Sequence, residues 1–102
     1  MIRAAGLPEP RLEAPVLGFR LDLFWPDLCL AVEVDAYGTH GSPARFEADR
    51  RRDARLLAEM GIIVIRVTKD AIADRPLEVV ALISRAIGQR QAAIGSLRSR
   101  SR

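Results

Sequence analysis

The stretch EVDAYGTH, residues 33–40, ends the apolar run LCLAV in two carboxylates, Glu33 and Asp35, and then supplies the only histidine, His40. Carboxylates at the end of a core strand are costly unless paired or bound to a cation. A third, Asp22, stands in FRLDLFW upstream. Side chains alternate along a strand. If residues 18–25 and 29–35 pair about the Pro26–Asp27 turn so that Asp22 faces Ala31 and Arg20 faces Glu33, then Asp22, Glu33 and Asp35 share one face. Any register of the same parity preserves that. Diagonal neighbours on such a face lie roughly 7–8 Å apart, near enough to share a cation. Oxygen-only ligands suit Mg²⁺, which can lower the pKa of a water and offset phosphate charge. The same spacing also accommodates a plain Arg20–Glu33 ion pair with Asp22 exposed. His40 reads either as an incidental loop residue or as a proton donor or phosphate contact.

The elements that must position these groups are legible. RLEAPV suits a short strand, at an edge because of Pro15. GFRLDLFW alternates, with Phe19, Leu21, Leu23 and Trp25 expected on one face. PARFEADRRRDARLLAEM, 43–60, is predicted helical, with Ser42 as N-cap, Pro43 in the first turn and Gly61 as terminator. On a helical wheel Phe46, Arg50, Asp53, Leu57 and Met60 form its expected packing face. Arg50 and Asp53 then need partners: each other, or for Arg50 the hairpin carboxylates or a phosphate. IIVIRVT, 62–68, reads as a buried parallel strand. A second helix is predicted from near Asp74 and Pro76 to about Ala86, with Val79, Val80, Ile83 and Ile87 as its apolar stripe. The order is β-β-β-α-β-α, an α/β domain with a mixed sheet.

The 102 residues suffice for one small domain. It is expected over residues 1–87, followed by a basic flexible tail, 88–102, which holds Arg90, Arg98, Arg100 and Arg102 and no acid. The net charge of +3 is therefore concentrated in the tail. Such a tail either touches polyanions or serves as a solubilising end. The lone Cys29 excludes an internal disulfide framework and gives no zinc-site spacing. No apolar run approaches the ~20 residues that span a bilayer, and no signal-peptide core is present. A cytoplasmic protein without a membrane association is expected. If the last helix cannot cover the apolar face of residues 18–25, a second copy should, giving a homodimer.

GFRLDLFWPDLCLAVEVDAYGTH followed by RFEADRRRDARLLAEMGIIVIRVT resembles the family called domain of unknown function 559. That family is similar to the very-short-patch repair endonucleases of the PD-(D/E)XK superfamily. The resemblance covers roughly residues 7–87. It rests on an R-x-D strand, a W-P turn, E-V-D, a downstream histidine, D-R-x-R-D on a helix, and an apolar strand ending in R-V-T. It implies a restriction-endonuclease-like core and a DNA endonuclease using Mg²⁺, or Mn²⁺ in its place. Asp22 looks like the first metal-binding aspartate and Glu33 like the acid of the E-x-K element. Asp35 stands where the lysine often does and would bind metal or orient the water. His40 and Arg50 would stabilise the phosphate. Arg52 matches a further family position and, with Arg50 and the tail residues Arg98, Arg100 and Arg102, would contact nucleic acid. Two features depart from the family: Ala36 replaces the usual glycine, and the usual N-terminal helix with its glutamate is missing upstream of GLPEP. The alternative from a different class is a degenerate, non-catalytic nucleic-acid-binding or oligomerisation module, a fragment of a longer regulator.

Overall fold

The computed structural model describes residues 2–36 and 42–100, with side chains through residue 97 in the last helix. The order of elements is β1 Arg11–Val16, β2 Phe19–Trp25, β3 Leu30–Asp35, α1 Pro43–Met60, β4 Ile63–Thr68, α2 Lys69–Asp74 and α3 Pro76–Arg100. The predicted order holds, with the short α2 added before the last helix. The strands form one sheet in the order β1-β2-β3-β4. The first three are antiparallel, while β3 and β4 run parallel, so the sheet is mixed. Parallel neighbours need a crossover connection, which α1 provides.

Local signals explain the boundaries. Leu17 and Gly18 link β1 to β2 with φ of 52° and 79°, as a two-residue type I′ turn demands. Pro26–Leu28 forms a single 3-10 turn between β2 and β3. Ser42 caps α1 by accepting from the Arg45 amide at 3.1 Å, and Gly61 ends the helix at φ 68°. Pro15 lies in β1, an edge strand as its proline requires.

Each face of the sheet has its own core. On one, Trp25, Leu30, Val32 and Val67 pack against Val79, Ile83 and Ile87 of α3. On the other, Leu21 and Ala31 pack against Leu56 of α1 and Ile62. Among the described residues no helix is long and apolar enough to cross a membrane.

Three expectations are corrected. First, Phe19, Leu21, Leu23 and Trp25 do not share a face: Leu23 and Trp25 belong to the α3 side, Phe19 and Leu21 to the α1 side. Alternation breaks at Asp22, where the β2 amide bonds to a carboxylate instead of a ladder carbonyl. Opposite it in β1, Glu13 adopts φ 49°. Leu23 and Trp25 pack within one chain with α3, Ile2 and Leu7, and Phe19 and Leu21 with Leu56 and Ile62, so these four residues do not form the single apolar face on which the expected homodimer rested. Second, of the expected packing face of α1, Phe46, Arg50, Asp53, Leu57 and Met60, only Asp53 meets the sheet. The one buried side chain of α1 is Leu56, flanked by the half-buried Asp49, Arg52 and Asp53. Phe46, Leu57 and Met60 are 61%, 56% and 48% exposed. The sheet beneath α1 is polar at one end, so ion pairs dock the helix there. Third, α3 does not stop near Ala86 but continues through Arg100, taking in most of the expected flexible tail. Arg90 anchors this extension by donating from Nε to the Leu28 carbonyl at 2.9 Å.

Candidate functional site

Strands β2 and β3 pair at Trp25–Leu30, Phe24–Ala31 and Leu23–Val32. This register differs from the expected one but has the same parity. The next step along the hairpin brings Asp22 level with Glu33, and there the carboxylates enter the ladder. The Asp22 amide donates to Glu33 Oε2 at 2.8 Å, and the Val34 amide donates to Asp22 Oδ2 at 2.8 Å. Two side-chain acceptors thus stand where backbone carbonyls stood, which satisfies buried amides while holding the two carboxyl groups side by side.

Glu33 is the one buried charged residue in the described core. Its other oxygen, Oε1, accepts from Arg52 Nη2 of α1. The alternative of a cross-strand pair between Arg20 and Glu33 does not form: Arg20 lies 3.7 Å from Glu13 at the exposed edge. Burial pushes the Glu33 carboxyl above its ordinary pKa, and the neighbouring Asp22 carboxyl adds to that push. The backbone hydrogen bond from Asp22 and the Arg52 charge only partly oppose it. The Arg52 Nε is buried without a hydrogen-bond partner among the described residues, and its guanidinium lies 5.7 Å from the Phe19 ring centroid.

Behind this pair, Arg66 of β4 makes a two-pronged contact with Asp53 of α1 (Nε to Oδ2 3.0 Å, Nη2 to Oδ1 2.9 Å) and approaches Asp49 at 3.5 Å. Burial works against the Arg66 charge, but the bonds to Asp53 and the charges of Asp49 and Glu33 outweigh it and raise its pKa. Four carboxylates, of Asp22, Glu33, Asp35 and Asp49, and four guanidiniums, of Arg20, Arg45, Arg52 and Arg66, line one polar cleft of about 210 Å³. Among these described residues the formal charges balance.

The sequence-derived site residues separate accordingly. Asp22, Glu33 and Asp35 all line this cleft, without forming a group of three metal ligands among the described residues. Arg52 also reaches it, but as the partner of Glu33 rather than as an outward-facing contact. Arg50 does not line it. It lies on the outer face of α1, over Phe46 at 5.5 Å, and Asp53 pairs with Arg66 rather than with Arg50. His40 and Arg102 lie outside the described residues, as do the side chains of Arg98 and Arg100. Sequence reasoning missed Arg66 and Arg45 as cleft residues. The signal for Arg66 was a single charge inside IVIRVT, which needs a partner wherever its strand is covered.

Two curated proteins of Mycobacterium tuberculosis, "Uncharacterized protein MT2308" and "Uncharacterized protein Rv2248", from two strains, are each 34% identical to this chain over 85 residues. The match takes in 78% of this chain and 31% of each of theirs, so the chain spans about a third of the length of the curated relatives it matches. No family model matches the chain, and no solved structure matches it.

Proposed function

We propose that this chain is a metal-dependent DNA endonuclease domain with a PD-(D/E)XK-like core, of the family called domain of unknown function 559. The observation that carries this reading is the interlocked pair Asp22 and Glu33, held side by side where the hairpin ladder opens into a polar cleft. The α/β architecture and mixed four-stranded sheet are compatible with it. The donors are all oxygen, the ligand chemistry that Mg²⁺ takes, and one or two carboxylates suffice for that ion. Asp22 and Glu33 would hold Mg²⁺ or Mn²⁺, with Asp35 binding alongside or orienting the attacking water. When bound, the ion would lower the pKa of a water and offset charge on the phosphate. Arg52 gives Glu33 its positive partner and would have to share or yield it. Arg20 and Arg45, exposed at the cleft, are suited to meet a phosphate. DNA contacts are further assigned to Arg50 on the outer face of α1 and to Arg98, Arg100 and Arg102. His40 is proposed, with Arg50, to stabilise the phosphate.

The test is cleavage of supercoiled plasmid with Mg²⁺ or Mn²⁺ against EDTA, for the parent chain and Asp22→Asn. Metal-dependent nicking that Asp22→Asn abolishes is the expected result. Nicking that persists in EDTA, or in the variant, removes the assignment.

A second reading, a non-catalytic nucleic-acid-binding module, is favoured by one feature. Both Glu33 oxygens are already engaged inside a cleft whose described residues balance in formal charge without an ion. It predicts DNA retention in a mobility-shift assay with no cleavage and no ion-dependent stabilisation.

A further inference from the structure

Around α1 the sheet is met strand by strand. Arg55 lies 5.5 Å from the Phe19 ring centroid of β2, Arg52 reaches Glu33 of β3, and Asp53 receives Arg66 of β4. At about 100° per residue these are successive steps in one direction round the helix. The next sector holds Phe46, Arg50 and Leu57, and among the described residues no strand lies beneath it, because β4 ends the sheet. These side chains overhang the edge, which is why Phe46 and Leu57 stay exposed in the described structure. On the opposite face a cleft of about 520 Å³ lies between Val67 and Thr68 of β4 and Val79, Leu82 and Arg85 of α3. The α1 layer is thus wider than the sheet on its β4 side, and a cleft opens beside β4 on the α3 side.

Among the described residues the edge strand itself is unguarded. Natural edges are blunted by proline, charge, bulges or shortness. The β1 edge carries Arg11, Pro15 and the positive-φ Glu13. The β4 edge, IVIRVT, has no proline, and its one charge is neutralised by Asp53 and Asp49.

We propose that the β4 edge and the overhanging face of α1 form a two-fold interface between two copies of this chain. What selects a second copy is the self-complementarity of the α1 sequence. Pro43, Phe46, Arg50, Asp53, Leu57 and Met60 are spaced alternately by three and four residues, the seam of a coiled coil. Laid antiparallel about the midpoint of Arg51 and Arg52, the seam sets Pro43 against Met60 of the second copy, Phe46 against Leu57 and Arg50 against Asp53. Apolar meets apolar, and Arg50 meets an Asp53 that, together with Asp49, leaves one negative charge beyond what Arg66 of the same chain offsets. The same axis runs past β4 near Arg66, because Arg66 is bound by Asp49 and Asp53 on either side of that midpoint. It therefore sets β4 antiparallel to its copy, so that ladder bonds take up the edge amides and carbonyls. The facing Arg66 side chains enter this pairing already neutralised by their own aspartates. The interface does not depend on the nuclease reading, and where it forms it takes Arg50 out of the DNA contact proposed above.

Sedimentation velocity across a concentration series tests it. The parent chain is expected to dimerise. Leu57→Glu should raise the dimer dissociation constant about tenfold or more with an unchanged circular dichroism spectrum, Leu57 being exposed in the single chain. Disulfide trapping fixes the register in a Cys29→Ser background. Phe46→Cys with Leu57→Cys places the thiols roughly 16 Å apart on one helix, beyond the ~7 Å reach of a bridge. Any disulfide then joins two copies. A cross-linked dimer is expected for that pair and none for Phe46→Cys with Ala58→Cys, whose second site points away from the seam. A parent chain that stays monomeric at high micromolar concentration overturns the proposal, as does a dimer that Leu57→Glu leaves intact and the first pair fails to trap.

Discussion

Glu33 is held from two sides, by the Asp22 amide and by the Arg52 guanidinium. Removing one partner of such a pair strands the other. Arg52→Met should therefore destabilise the fold by about 1.5–3 kcal/mol, the range for a hydrogen bond to a charged group. Adding Glu33→Gln should recover part of that loss, because the lone carboxylate disappears with its partner. Urea unfolding of the two variants reads both effects. A single variant as stable as the parent would mean that the contact carries no energy. Asp22 does two jobs that one substitution separates. Asp22→Asn keeps an oxygen for the Val34 amide, so the melting temperature without ion should stay near that of the parent. Mn²⁺ is expected to raise the melting temperature of the parent, through binding to the folded state alone, and that rise should vanish in the variant. A Mn²⁺ response that survives in Asp22→Asn would place the ion elsewhere.

Helix α1 docks by an unusual division of labour. Its single buried side chain, Leu56, meets Leu21, Ala31 and Ile62, while Arg52 and Asp53 hold it to Glu33 and Arg66. Leu56→Ala should cost about 2–5 kcal/mol, as large-to-small changes in packed cores do. Leu57→Ala, one residue on, should stay within about 0.5 kcal/mol in dilute solution. Thermal or urea unfolding of the two side by side tests the rotation of the helix, and equal losses would refute it. That rotation could not be read from the sequence. The ends of α1 were legible because Ser42, Pro43 and Gly61 are local signals. Its packing face was assigned on the premise that apolar residues face the sheet, and Phe46, Leu57 and Met60 satisfy the wheel as well as Leu56 does. Only the polar end of the sheet, known from the pairing of Glu33 and Arg66, tips the choice. The hairpin was more readable. Strand parity alone brought Asp22, Glu33 and Asp35 to one cleft, whereas the identity of the guanidinium at Glu33 depended on the turn of a distant helix. The extension of α3 was masked by Gly88, Gly95 and the arginines, whose composition reads as a tail. Its anchor, Arg90 on Leu28, is a contact between distant parts of the chain that no local pattern announces.

For the molecule as a whole, the continuous α3 changes how the proposed DNA contacts should be probed. Deleting residues 88–102 would also remove Arg90 and its hold on the β2–β3 turn. Replacing Arg98, Arg100 and Arg102 by glutamine leaves that anchor in place. If all three meet phosphates, the slope of log K against log salt for duplex DNA should flatten by about 2–3. Fluorescence anisotropy over a salt series measures it, and an unchanged slope would exclude these residues from the contact. The opposite end of the chain carries its own gauge. Trp25 is the only tryptophan. Its indole is buried at 4% exposure, with Nε1–H donating to the Pro8 carbonyl at 2.9 Å. The fluorophore therefore sits between the N-terminal segment and the α3-side core, and its emission colour reports whether that segment is seated. A red shift that precedes loss of the helical dichroism signal on heating would record the segment lifting away while the sheet still holds, with no label added to the protein.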